Sequence, residues 1–327
     1  MKLKYVAAAG ASVLLMAGCG SQEAAQSMAQ EAAPAAEVEL PAVITLQTAG
    51  ITPEGVEYDT KNGRFLVGSF THGTVFAVAT DGALSPFAED PELKSSVGIE
   101  VDEERNRLLV ANADPSAFRG PSGGGGIAKL GIYDLDSGER LAMIDLAAAG
   151  PADAKMRFAN DIAVGSDGSA YVTDTMARVV YRVAPDNTVS LLVPENIAAD
   201  HPLTFNGIEF HPSGYLLVAD LRGGDLYKVS PDEPNTFTLV ELEEKVPGAD
   251  GIVLHPNGTL YVVRNDDSRS VVALVSDDEW ASATVSAKAT YEVQATTAAL
   301  VGDDVYVVHP HFGDDQALST IERVTFE

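Results

Sequence analysis

The stretch Asn206-Gly-Ile-Glu-Phe210, His211-Pro-Ser-Gly214, Tyr215-Leu-Leu-Val218 decides the fold. A short apolar phrase meets a Pro/Gly turn, and the turn leads into a β-branched and aromatic strand, the pattern of an antiparallel hairpin. The same unit recurs on both sides. Downstream stand Asp250-Gly-Ile-Val-Leu254, His255-Pro-Asn-Gly258 and Leu260-Tyr-Val-Val263. Upstream stand Asn160-Asp-Ile-Ala-Val164 with Tyr171-Val172, Val97-Gly-Ile-Glu-Val101 with Leu108-Leu-Val110, and Glu54-Gly-Val-Glu-Tyr58 with Phe65-Leu-Val67. A degenerate sixth unit, Thr297-Ala-Ala-Leu-Val301 with Val305-Tyr-Val-Val308, ends the series. Most units recur every 43 to 47 residues, the period of four-stranded propeller blades rather than of helical or leucine-rich repeats. The sequence therefore predicts an all-β, six-bladed β-propeller of four-stranded antiparallel blades over residues 41–327.

The interval between units two and three is longer and holds an insertion, residues 114–128, with four consecutive glycines, Gly123 to Gly126. A phosphate loop needs a helix and a Lys-Ser/Thr pair directly after its glycines. Here Ile127-Ala-Lys-Leu-Gly-Ile-Tyr133 follows and reads as a strand. The insertion is expected to be a flexible surface loop near the channel mouth.

The N-terminus reads as an export signal, residues 1–18. Lys2 and Lys4 precede an apolar run too short to span a bilayer as a mature helix. The run ends in Leu15-Met16-Ala17-Gly18-Cys19, which resembles a bacterial lipobox with Met16 where Leu is usual. Lipidation of Cys19 would hold the protein at the cell envelope, facing the periplasm, through a lipid anchor alone. Ordinary signal cleavage beside an incidental cysteine is the competing reading. Residues 19–40, rich in Ala, Gln, Glu and Ser, read as a flexible tether. Cys19 is the only cysteine of the 327 residues, which rules out an intramolecular disulfide, a Cys-based zinc site and a thiol nucleophile. The net charge of −27 opposes any phosphate backbone, so no nucleic-acid partner is expected.

Each unit places one residue just before its innermost strand, and in a propeller those positions converge on the channel. In order they are Glu54, Val97, Asn160, Asn206, Asp250 and about Thr297. Four of the six are carboxylate or carboxamide oxygen donors. Such a set suits Ca²⁺, which takes about 6–8 oxygen ligands in tolerant geometry, with Mg²⁺ as the alternative. The lack of histidine among the four disfavours zinc, copper and non-haem iron. Each residue alone has the simpler explanation of a turn before a strand. It is their recurrence at one register that argues for a site.

On Pro53-Glu54-Gly55, Arg157-Phe-Ala-Asn160-Asp161, Phe205-Asn206-Gly207 and Ala249-Asp250-Gly251, the chain resembles the senescence-marker-protein/gluconolactonase/luciferin-regenerating-enzyme-like family. That family is related to the diisopropylfluorophosphatase-type and paraoxonase-type calcium propellers. The resemblance implies a Ca²⁺-dependent hydrolase of lactones or related esters, with Glu54, Asn206 and Asp250 as principal ligands. Asn160 would be a fourth ligand or a substrate contact. The cation would polarise the lactone carbonyl, and Asp250 would orient or deprotonate the attacking water.

Strand-end residues Asn112, Asp174, Asp220 and Arg264 are candidate substrate contacts, with Arg264 able to hold an anionic group. His72, His309 and His311 are expected near the same mouth, either as proton carriers or as ordinary loop residues. Specificity is expected in loops 113–128, 198–204 and 310–316. No Gly-x-Ser-x-Gly elbow supports serine catalysis. The alternative to an enzyme is a binding or scaffold propeller in which calcium ties the blades together.

Overall fold

The computed structural model describes residues 40–194 and 203–327. The signal peptide, Cys19 and the tether lie outside the described residues. Within them the chain forms six four-stranded antiparallel blades, in the order the repeats predict. Blades one to five occupy residues 56–89, 96–145, 159–193, 205–242 and 249–290. The sixth combines residues 298–323 with a strand from the opposite end of the domain. Val43–Thr45 pairs with Thr320–Arg323, Val43 opposite Glu322 and Thr45 opposite Thr320. The repeat phrases gave no sign of this closure, because the closing strand is only Val-Ile-Thr. A parallel pairing, Glu241–Ser282 and Leu242–Ala283, also joins the outer edges of blades four and five.

Alternation within strands puts apolar side chains on both faces of each blade, so every blade buries itself against two neighbours. The result is six buried clusters, one at each blade–blade junction. Fully burying one Val, Ile or Leu contributes about 1.5–3 kcal/mol. Val67, Leu109, Val172, Leu217, Val262 and Val308, one from each blade, are all fully buried.

The innermost strands, Val56–Asp59, Ser96–Asp102, Ala159–Val164, Phe205–His211, Ala249–Leu254 and Ala298–Val301, surround the channel. They approach so closely that the repeated glycine is a steric requirement. A Cβ on Gly55 would fall on the carbonyl oxygen of Val97, one on Gly98 on that of Asn160, and one on Gly207 on that of Asp250. Blade three breaks the rule with Asp161. Its carboxylate reaches across instead and accepts the backbone N–H of Ile208 in blade four at 3.1 Å.

Candidate functional site

In blades two to five the ring residues owe their aim to a bulge. The register of the innermost pair shifts between Ser96 and Ile99, Ala159 and Ile162, Phe205 and Ile208, and Ala249 and Ile252. In each case the two residues released from the ladder are the ring residue and the glycine, or Asp161, that follows it. Bulges re-aim side chains in this way. Glu54, Asn160, Asn206 and Asp250 are brought together as walls of one cavity of about 480 Å³. Each is buried. Val97, at the equivalent position of blade two, is fully buried in the apolar cluster with Phe158 and Ala117. Thr297 lines a narrower passage below.

Hydrogen bonds fix the donor set. Asn206 Nδ2 donates to Asp250 Oδ1 at 2.6 Å, and Asn265 Nδ2 donates to Asp250 Oδ2 at 2.7 Å. Asn160 Nδ2 donates to Thr175 Oγ1 at 3.0 Å, and the Thr175 hydroxyl donates in turn to the Phe205 carbonyl at 2.7 Å. Both ring amides thus commit their NH₂ groups to the protein, which leaves their carbonyl oxygens as the free ends. Burial pushes Asp250 up to about 7, against the pull of Asn265 and Asn206. Burial, then the nearby Asp250 and Asp161 carboxylates, hold Glu54 well above the ordinary range. No Lys, Arg or His lines the cavity among the described residues. Two buried acids and two amide oxygens without a cationic partner are the donor chemistry that a hard divalent ion relieves, so the residues present fit Ca²⁺.

Below the ring the channel narrows to about 20 Å³, room for roughly one water. Asp161, Glu57, Glu100 and Glu209 line it. Burial, together with the neighbouring carboxylates, raises Glu57 and Glu100 well above the usual range, and burial pushes Glu209 up to about 8. Among the described residues no three His, Cys, Asp or Glu side chains converge to hold an ion.

The strand-end expectations need correcting. Asn112 and Arg264 do not line the cavity, and neither do Asp174 and Asp220. Each instead holds the segment that leads into a ring position. Asn112 Oδ1 accepts Lys94 N–H, Asp174 Oδ1 accepts Phe158 N–H, and Asp220 Oδ1 accepts Thr204 N–H. Arg264 Nε donates to the Pro247 carbonyl, and Ser69 Oγ in blade one donates to that of Ile51. The reason is the two-residue period of a strand, which puts neighbours on opposite sides. The next residues along, Phe70, Thr175, Leu221 and Asn265, are the ones that line the cavity. Counting from the bulge rather than to the last polar residue would have found them.

The three histidines do not line the cavity either. His309 is buried and borders a different cavity with Tyr291 and Glu322, while His311 borders a third with Arg269. His72 is exposed beside Thr71. Of the expected specificity loops, 113–128 contributes Pro115 and Phe118, and 310–316 contributes Phe312. Residues 198–202 of the remaining loop lie outside the described residues. Loop 113–128 holds two 3₁₀ turns, Pro115–Arg119 and Pro121–Gly123. It is tied down by Arg157 N–H donating to the Gly125 carbonyl at 2.8 Å.

The family model described as SMP-30/Gluconolactonase/LRE-like region matches residues 52–307. Among solved structures, the chain is similar to the major Malassezia sympodialis allergen Mala s 1. The TM-score is 0.73 at 17% identity, over 88% of this chain and 97% of that one. A gluconolactonase from Xanthomonas campestris gives 0.60 at 15% identity, over 86% and 89%. The virginiamycin B lyase of Staphylococcus aureus gives 0.57 at 12% identity, over 86% and 98%. At these identities the likeness is one of fold. No match is found among proteins of curated function.

Proposed function

Because the chain belongs to the SMP-30/gluconolactonase/LRE-like family, we propose that it is a calcium-dependent hydrolase of lactones or related esters, anchored in the bacterial cell envelope through Cys19. The observation that carries the catalytic reading is the ring itself. Glu54, Asn160, Asn206 and Asp250, drawn from four separate blades, converge on one cavity with no cationic side chain among them. These four would hold the ion. When bound, Ca²⁺ supplies Lewis-acid polarisation of the acyl oxygen.

The protein's own residues supply the rest. Asn206 and Asn265 fix both oxygens of Asp250, so its orientation is set before substrate arrives. Held in that orientation beside the ion, Asp250 suits a base that takes a proton from water and returns it. The water oxygen bonds to the acyl carbon and the ring C–O bond breaks. The proton held on Asp250 passes to the departing alkoxide, and the product is a hydroxycarboxylic acid, which releases its carboxyl proton to solvent as the hydroxycarboxylate. Thr175 fixes the Asn160 amide toward the same cavity.

The test is hydrolysis of a lactone panel by the purified domain lacking residues before about Gln22. Activity abolished by EDTA and restored by added Ca²⁺ is expected. Absence of turnover on every lactone, with a calcium-dependent rise in melting temperature, would move the reading to a binding scaffold. For the anchor, metabolic labelling with radioactive palmitate should mark the native chain and not Cys19→Ala. Equal labelling of both would remove the lipobox from the proposal.

A further inference from the structure

Four phenylalanines stand around the mouth above the oxygen ring. Phe70, Phe118, Phe158 and Phe312 all line the same 480 Å³ cavity as Glu54, Asn160, Asn206 and Asp250. Their rings touch in sequence. Phe118 meets Phe158 edge-on with centroids 5.0 Å apart, and Phe312 meets Phe70 edge-on at 5.4 Å. Phe70 lies 6.1 Å from both Phe118 and Phe158. Core packing does not explain all of them, because Phe118 is 61% and Phe312 42% exposed. Pro115 and Leu221 extend the apolar wall.

The placement is asymmetric. Blade two gives the ring no oxygen, since Val97 is turned into the cluster that supports Phe158 and Phe70. The insertion of that blade instead delivers Phe118. One end of the cavity is therefore polar and acidic, and the other is aromatic. Arg264, the one guanidinium the sequence offered for an anionic substrate, is committed to Pro247 and Asp266.

From this we infer that the substrate is a neutral lactone or ester with an extended apolar body, alkyl or aryl, seated against Phe70, Phe118, Phe158 and Phe312, and not a polyhydroxylated or anionic lactone. The inference rests on reading the oxygen ring as a hydrolytic site. A sugar lactone needs hydrogen-bond partners for each hydroxyl, and burying those hydroxyls against phenyl rings leaves them unpaired. An apolar chain gains from the same surface.

The experiment compares kcat/KM, in Ca²⁺, for 4-alkyl-γ-lactones of increasing chain length and for glucono-1,5-lactone. In parallel, calorimetry measures binding of the matching, hydrolysis-resistant alkyl lactams and of gluconolactam. The expected result is a rise of up to about fourfold per methylene buried, with the long-chain lactone preferred over gluconolactone at least about tenfold, and the same order in lactam binding. The double variant Phe118→Ser/Phe312→Ser, altered at exposed positions, should flatten the dependence on chain length.

Preference for gluconolactone, or an unchanged chain-length slope in the double variant, overturns the substrate class while leaving the hydrolase standing. Chain-length-dependent lactam binding without hydrolysis of any lactone supports the apolar site and overturns the hydrolase. Neither binding nor hydrolysis overturns both.

Discussion

Asp250 joins three circumstances that rarely coincide in one side chain. It is buried, it lies close to a second buried acid, and each of its oxygens accepts an amide proton. Asp250→Asn keeps the shape but gives up the charge and the proton acceptor. Activity should fall by about 10²–10⁴-fold, the span typical of a lost general base. Melting in EDTA should change little, because the relief of the like-charged Glu54 is offset by an amide NH₂ that now faces that of Asn206 or Asn265. Calcium titration followed by melting temperature separates the two effects, and undiminished turnover would remove Asp250 from the chemistry. The four oxygen donors were legible because the repeat aligned them. Thr175 and Asn265 were not, since each sits one residue beyond a polar strand end that attracted attention first.

At the level of elements, the hairpins of blades one, three, four and five do two jobs with adjacent residues. One side chain turns to the cavity, and the residue before it holds the segment that enters the innermost strand. Asp220 is the clearest holder: it accepts Thr204 N–H and Oγ1–H, each at 2.7 Å, and Gly223 N–H at 3.0 Å. Asp220→Ala leaves those donors without a partner, at a cost of about 1–3 kcal/mol for a buried group. Urea unfolding in EDTA should show a loss of that order, with weaker calcium binding because Asn206 follows Thr204 by two residues. Asp220→Asn, which keeps an acceptor, should recover most of both. A loss of stability with calcium affinity intact would make Asp220 purely structural. The blades themselves were readable from the alternation of apolar phrases and turns. The parallel seam between blades four and five was not, because Glu241, Leu242, Ser282 and Ala283 belong to outer strands that vary from unit to unit.

Over the whole molecule, acid is stacked along the axis. Glu54 and Asp250 sit at the mouth, with Asp161, Glu57, Glu100 and Glu209 beneath. Glu209 shows the consequence for stability. Its folded-state affinity for a proton is raised to about 8 by burial, above the unfolded value. The stabilisation is therefore complete at acid pH and is lost as pH rises through about 8. In EDTA the melting temperature should fall between pH 5 and pH 8.5, and Glu209→Gln should flatten that decline. An identical pH profile for the variant would show that Glu209 does not titrate differently in the folded chain. The closure of the ring has a consequence of its own. Glu54 and Asp250 come from blades one and five, the two neighbours of blade six, and blade six needs both Val43–Thr45 and Thr320–Arg323. The two charges that an ion would neutralise are thus separated until both termini have met. Capture of the proposed ion would then certify completeness: a chain cut short at either end would keep most of its hairpins and still lack the ring.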